Sequence, residues 1–388
     1  MMILFLLTIL LLYGSLHLYI VFQIGAAFTL GPVGTIALVL VLAFMVLAPV
    51  LVRITETHGW GRPARLVAHI GYTWMGLAFL FFWFSLAIKS HHGLLILGGS
   101  LFERDLLDLA LSPRYALLIP SFTALAATLY GTIEARHIRN ETVTIRSPKI
   151  PRDLGVIRIA QISDVHLGLM VREKALTRIL HIVRTIEPDL LVSTGDLVDG
   201  ETDDMDGLAD LLRSIQPKYG KFAVTGNHDF YAGLPKALEF TARAGFSVLR
   251  GEARQVAGSI QIVGVDDPTG VYFGQSPDIN MQTLLSGLPA DQFTLVLKHQ
   301  PQVVRNALPL FDLQLSGHTH KGQIFPFSLI VRLFIPYSHG LVPLPHHAYM
   351  YVSRGSGTWG PPIRFLSPPE VTVIELAHGD RAEATVRP

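Results

Sequence analysis

Residues 157–166 read Ile157-Arg158-Ile159-Ala160-Gln161-Ile162-Ser163-Asp164-Val165-His166, a mostly apolar run that ends in a carboxylate and an imidazole. A short apolar run bounded by polar residues is the pattern of a buried strand. Working outward, Glu173 to Ile186 carries apolar side chains at helical spacing, Leu190 to Ser193 reads as a second strand and Gly207 to Ile215 as a helix. Phe222 to Thr225 is a third strand, and Pro235 to Ala244 the next helix, with Pro235 suited to its first position. Such alternation predicts a mainly parallel sheet in an α/β layered domain. Ile260 to Val265, Phe293 to Leu297, Leu313 to Leu315, Tyr349 to Val352 and Val371 to Leu376 predict a second, mixed sheet packed on the first.

In open α/β sheets ligands bind beyond the C-terminal ends of the strands. Five polar segments fall there: Ser163-Asp164-Val165-His166, Gly195-Asp196-Leu197-Val198-Asp199, Gly226-Asn227-His228-Asp229, Lys298-His299-Gln300 and Gly317-His318-Thr319-His320. Alternation along a strand predicts that Asp164 and His166 share a side, as do His318 and His320. Glycines beside Asp196, Asn227 and His318 let the backbone turn sharply and approach a bound group. Singly these segments are weak, since a lone Asp-x-His is usually surface chemistry and Gly-Asp or Gly-Asn pairs are most often turns. Together they offer carboxylate, imidazole and amide donors for two divalent ions, the arrangement used for displacement at phosphorus.

The five segments resemble the calcineurin-like metallophosphoesterase superfamily, whose pattern is D-x-H, G-D-x-x-D, G-N-H-D/E, a lone His and G-H-x-H; the resemblance covers about residues 155–376. The run Tyr351-Val352-Ser353-Arg354-Gly355-Ser356-Gly357-Thr358-Trp359-Gly360-Pro361-Pro362 is similar to the membrane-anchored bacterial phosphodiesterase branch, which includes alternative UDP-2,3-diacylglucosamine hydrolases. The resemblance implies a four-layer sandwich of two mixed sheets flanked by helices. It implies that Asp164, His166, Asp196 and His320 hold a first metal, that Asp196 bridges, and that Asn227, His299 and His318 complete a second site. His228 is then the catalytic histidine near the leaving oxygen, oriented by Asp199. Nitrogen and oxygen ligands of this kind suit Mn, Fe or Zn.

Composition sets the frame. Hydrophobic residues make up 50% of the 388 and charged residues 16%; Lys plus Arg number 31 against 30 Asp plus Glu, and there is no Cys. The absence of cysteine excludes disulfides, thiolate ligands and thiol nucleophiles. The near-neutral balance, without a basic stripe interleaved with aromatics, argues against stable nucleic-acid binding. The apolar surplus is concentrated: Met1 to Val52, Leu66 to Ile88 and Tyr115 to Ile133 hold no Asp, Glu, Lys or Arg. A spanning helix needs about 20 apolar residues. Four transmembrane helices are therefore predicted, at 2–22, 33–52, 67–88 and 115–133, with Gly31-Pro32 turning the chain between the first two. This gives a membrane domain at 1–134, a linker at 135–154 punctuated by Ser147-Pro148 and Ile150-Pro151, and a metallophosphoesterase domain at 155–388. Arg53, Arg62 and Arg65 in the second loop, and Arg136, Arg139, Arg146, Lys149 and Arg152 after the last span, place the catalytic domain on the cytoplasmic side of a bacterial-type inner membrane.

Leu101 to Leu109 reads either as a short interfacial helix or as a polar loop. Arg354 and Lys321 are candidate phosphate contacts, with a structural salt bridge the competing reading for Arg354. His339, His346 and His347 read as surface residues, His181 as structural, and Asp266 and Asp267 as turn residues. Phe325 to Leu344 is unusually apolar for a loop, which fits either core or a hydrophobic flap that admits a lipid tail. The expected activity is hydrolysis of a phosphodiester or pyrophosphate, with a lipid-linked substrate fitting flap, anchor and branch. A nuclease or cyclic-nucleotide phosphodiesterase, or a metal-binding sensor on a membrane anchor, is the alternative.

Overall fold

The uncharged stretches fold as four helices: α1 (Met2–Ala27), α2 (Pro32–Thr57), α3 (Gly61–Phe102) and α4 (Pro113–Glu134). All four contain segments long and apolar enough to cross a membrane. They outrun the expected spans because their polar ends, such as Arg53 to Thr57 on α2, continue the helical hydrogen bonding. The chain was described over residues 2–200, 205–277 and 279–387 in a computed structural model. Of the two readings of Leu101 to Leu109, the structure is nearer the loop: α3 absorbs Leu101 and Phe102, and Leu107–Leu109 makes one 3₁₀ turn. α2 and α3 cross closely, since a Cβ on Gly71 would lie 2.5 Å from that of Ala48. Small residues at such crossings let apolar helices pack without a hydrophobic driving force. Gln23 Nε2 donates to Ser85 Oγ at 2.8 Å and Trp74 Nε1 to His17 Nε2 at 2.8 Å, so α1 and α3 are also joined by hydrogen bonds.

The chain forms two compact units, this helical one, Met1–Ile133 with Gly360–Ile363, and a second, Glu134–Trp359 with Arg364–Pro388. In chain order the second unit runs β1 (Arg139–Ser147), β2 (Ile157–Ile162), α5 (Glu173–Ile186), β3 (Leu190–Ser193), α6 (Asp206–Arg213), β4 (Lys221–Ala223), α7 (Asn227–Tyr231), α8 (Leu234–Arg243) and β5 (Ser247–Val248). It continues with β6 (Glu252–Val256), β7 (Ile260–Gly264), α9 (Thr269–Tyr272), α10 (Met281–Ser286), β8 (Phe293–Leu297), β9 (Leu313–Ser316) and α11 (Phe327–Phe334). β10 (Gly340–Pro343), β11 (Tyr349–Val352), β12 (Glu370–His378) and β13 (Glu383–Arg387) complete it.

Two mixed sheets result, in the orders β13-β1-β12-β2-β3-β4-β5 and β10-β11-β9-β8-β7-β6. β2 is buried on both faces, which is why its sequence is a nearly continuous apolar run rather than an alternating one. Ile157 and Ile159 join Leu190, Val192, Ile262, Leu295 and Leu315 in the core between the sheets. Ala160 and Ile162 face the other way, onto Leu176, Ile179, Leu180 and Val183 of α5, which recur at the spacing of one helical face. A third cluster, including Val263, Val296, Met281 and Leu285, covers the outer face of the second sheet. The layered sandwich of two mixed sheets flanked by helices is as anticipated.

The main departure lies in the stretch read as a linker. Residues 139–147 form β1, paired parallel with β12 from Arg139 opposite Glu370 to Ser147 opposite His378. Val143 and Ile145 enter the inter-sheet core, while Arg139, Glu141 and Arg146 gave the segment the charge density of a connector. Short β5, β6, β10 and β13, and α11, were likewise not anticipated as elements.

Candidate metal centre

Each of the five polar segments begins where a strand stops. Asp164 and His166 follow β2, Asp196 follows β3, His299 follows β8, and His318 and His320 follow β9; Asn227 and His228 open α7 shortly after β4. Strand alternation is not what aligns the paired side chains. Asp164 (φ 51°), His166 (φ 54°), Asp196 (φ 51°), His318 (φ 73°) and His320 (φ 48°) all lie in the left-handed region. Non-glycine residues rarely sit there, and such strain gathers at functional sites. The sharp turns re-aim residues that have already left the sheet.

Two glycines are required by space. A Cβ on Gly226 would fall 2.1 Å from Asp196 Oδ1, and one on Gly317 would fall 2.2 Å from Asp164 Oδ2. The backbone at both points is packed onto a carboxylate.

The side chains gather into overlapping groups. Ligand atoms of Asp164, His166 and His320 lie within 4.8 Å of one another, as do those of Asp196, His299 and His318 and those of His166, Asp196 and His228. Asp196 stands between them, its Oδ2 3.7 Å from His166 Nε2 and 3.2 Å from His299 Nε2. Asn227 Oδ1 is 2.9 Å from His318 Nδ1 and 3.2 Å from His299 Nε2. Asp164, His166, Asp196, Asn227, His299 and His320 are all buried.

The donor set fits divalent cations. His299 Nδ1 donates to the Thr194 carbonyl at 2.8 Å, which fixes the ring so that Nε2 points at the oxygens of Asp196 and Asn227. In the neutral ring that nitrogen is a lone pair facing two acceptors. On the other side, His166 Nε2 and His320 Nε2 approach to 3.0 Å, and the buried Nδ1 of His166 has no hydrogen-bond partner. Convergent lone pairs in a dry setting demand a cation or a proton. Burial lowers His166 to about 4, with the His228 charge adding to the effect, and likewise His318 to about 4 with help from His299; both rings are neutral and free to ligate. Burial and the Arg364 guanidinium hold His320 well below its ordinary range. Burial works against charge on His299, but the Asp196 carboxylate outweighs it and holds that ring well above its ordinary value. The centre's negative charge thus already attracts positive charge.

His228 is built differently. Its Nδ1 lies 3.0 Å from Asp199 Oδ1, and its backbone N–H donates to Asp196 Oδ1 at 2.8 Å. Burial opposes protonation here too, yet Asp196 and Asp199 push His228 up to about 9. The ring touches His166, Tyr231 and Trp359 edge-on at 4.7, 5.3 and 5.5 Å between centroids. Beside His318 opens a cavity of about 630 Å³, lined among others by Gln300, Arg305, Leu308, Phe334 and Tyr337.

Of the two phosphate-contact candidates, the Arg354 guanidinium is ion-paired with Glu141 and Glu370, while Lys321 is half-buried immediately after His320. Two residues that bind no metal were missed by sequence reasoning. Asp229 accepts the backbone N–H groups of Asp196 (3.1 Å), Val198 (3.3 Å) and Gly226 (2.7 Å), tying two of the ligand loops together; its place in Gly-Asn-His-Asp was the available signal. Arg364 is fully buried and donates to the carbonyls of Arg354, Gly357 and His320 and to His320 Nδ1 at 3.0 Å. Nothing in its sequence surroundings marked it. Asp266 is held by Arg250 in an ion pair and accepts from Thr225, which gives it more structure than a turn residue.

The comparisons agree with this geometry. The family model for calcineurin-like phosphoesterases matches residues 157–322. An uncharacterized metallophosphoesterase of Aquifex aeolicus is 39% identical over 256 residues, covering 66% of this chain and 98% of that protein. One from Campylobacter jejuni is 31% identical, covering 67% of this chain and 68% of its own length. A transmembrane protein with metallophosphoesterase domain from Danio rerio is 32% identical over 68% of this chain and 63% of its own. Four apolar helices and a transmembrane-named relative make this a membrane-associated protein. The strand-end carboxylates and imidazoles and these relatives together make the chain a member of the calcineurin-like metallophosphoesterase family, a class of metal-dependent phosphoric ester hydrolases.

Proposed function

We propose that the chain hydrolyses a phosphodiester or pyrophosphate at two divalent cations, and that the group beyond the phosphate is lipid-linked. The observation that carries the reading is the convergence of carboxylate, amide and imidazole atoms from Asp164, His166 and His320 and from Asp196, Asn227, His299 and His318 in overlapping groups, with Asp196 between them. Asp164, His166, Asp196 and His320 hold one cation, and Asp196, Asn227, His299 and His318 the other. When bound, such a pair activates water and neutralises charge on the phosphoryl oxygens; Mn, Fe and Zn all suit the ligands.

The remaining work falls to the protein. Asp199 holds the His228 ring by its Nδ1, leaving Nε2 to donate a proton to the departing oxygen. The apolar walls of the cavity beside His318 give the leaving or retained group a dry seat. Lys321, next to His320, is a contact for a phosphate oxygen. Arg354 could reach one only by giving up a carboxylate partner. The basic residues flanking the second loop and following α4 support a cytoplasmic catalytic unit.

The test is metal analysis and turnover of the detergent-solubilised full chain. A generic phosphodiester and a lipid-linked one should both be cleaved by the wild type after loading with Mn. Asp196→Ala should abolish both, and His228→Ala should lower both by about 10²–10⁴-fold. Normal turnover in either variant would refute the assignment. A Phe334→Ser change should raise KM for the lipid-linked substrate alone; equal effects on both substrates would remove the lipid.

A further inference from the structure

From Leu313 to Pro369 the chain contains no Asp or Glu; of its basic residues Arg364 is buried and Arg354 ion-paired, which leaves Lys321 and Arg332. The same stretch holds more than half of the large hydrophobic side chains left exposed among the described residues of the catalytic unit. They cluster on and around α11. Leu333 is 81% exposed and Phe334 80%, and Phe325, Phe327, Leu329 and Tyr337 are exposed beside them. No residue of α11 is buried. A soluble surface does not normally display so dense an apolar patch, and one of this kind marks an interaction site.

The charge identifies the occupant. Arg332 is exposed on α11 itself. Arg332 and the half-buried Lys321 both bear on the neighbouring His339, with no Asp or Glu anywhere in the stretch, so this surface suits an anionic one. A second copy of this near-neutral chain supplies no excess of negative charge, whereas a bilayer of acidic lipids does. Aromatic and aliphatic side chains with a basic residue on one short helix are the composition of a segment lying at the headgroup boundary. The chain is already membrane-associated, and only residues 135–138 separate α4 from β1.

We propose that α11 and its flanks seat in the headgroup region of an anionic bilayer, with Phe327, Leu329, Leu333 and Phe334 in the acyl boundary and Arg332 at the lipid phosphates. Because Phe334 and His318 line the same cavity, this seat opens the cavity beside the metal centre at the lipid surface. The surface contact does not depend on the proposed chemistry.

The absence of native cysteine makes the test direct. Leu333→Cys is labelled with an environment-sensitive fluorophore, and the full chain is reconstituted in nanodiscs of phosphatidylglycerol and phosphatidylcholine containing nitroxide-labelled lipid. Leu329→Cys gives a second position on the patch, and Glu239→Cys, exposed on α8, serves as the control. Emission from 333 and 329 should shift to the blue and be quenched by the nitroxide lipid, and that from 239 should do neither. Arg332→Glu should reduce the quenching at 333. Water-like, unquenched emission at both patch positions would overturn the proposal. A blue shift without lipid quenching would also overturn it and assign the face to protein. No substrate enters the readout, so failure here is distinct from failure of the hydrolytic reading.

Discussion

Asp229 offers a way to perturb the centre without touching a ligand. Its Oδ2 accepts the N–H groups of Asp196 and Gly226, and its Oδ1 that of Val198. In Asp229→Asn the amide oxygen can replace Oδ2 and keep two of these bonds, but the amide N–H₂ then confronts the Val198 N–H. One orphaned buried donor costs about 1–3 kcal/mol. Asp229→Ala orphans all three N–H groups, and at about 1–3 kcal/mol each, partly relieved by entering water, the loss is about 3–6 kcal/mol. For a domain of this size each kcal/mol moves the thermal midpoint by roughly 2–4 °C. The midpoint in chelator, measured on the full chain in detergent, should therefore fall in the order wild type, Asn, Ala. Metal content after loading should fall in the same order, because the loops carrying Asp196 and Asn227 lose their tie. An Ala variant with wild-type midpoint and metal content would refute the reasoning.

Other sites give independent checks. Lys221 Nζ donates to the carbonyls of Leu212 and Ala244 near the ends of α6 and α8, so Lys221→Met should cost about 2–4 kcal/mol and leave metal content unchanged. Gly226→Ala presses a methyl group onto Asp196; stability should drop by about 1–3 kcal/mol, and turnover by about 10²-fold if the carboxylate moves by an ångström. His228→Ala should lower kcat by about 10²–10⁴-fold at unchanged metal content, with Asp199→Asn falling between it and wild type. Chelation should lower the thermal midpoint, the lost stabilisation being about 2.7 kcal/mol for a metal held at a hundred times its Kd; an unchanged midpoint would mean that no metal is part of the fold.

Much of the fold is legible in the sequence because burial writes itself into composition. β3 and β8 are covered on both faces, so their residues are mostly apolar. α5 shows one face to the core and repeats accordingly. β1 escaped because only Val143 and Ile145 reach deep core, amid Arg139, Glu141 and Arg146. The polar ends of α2 and α3 lie outside the apolar runs because backbone hydrogen bonding, not apolarity, bounds a helix. At the centre, Asp164, Asp196, Asn227 and the histidines were visible as abrupt polar stops to apolar strands. Their left-handed backbone was not, since the side-chain types alone do not distinguish an extended strand end from a sharp turn. Arg364 is illegible for a different reason: most of its partners are backbone carbonyls, which carry no sequence signature.

Anomalous diffraction from crystals of the full chain loaded with Mn addresses the central claim most directly. Two peaks about 3.5–4 Å apart, flanking Asp196 and reached by Asp164, His166 and His320 on one side and by Asn227, His299 and His318 on the other, are the predicted result. A single peak elsewhere, or none within this ring of side chains, would contradict it.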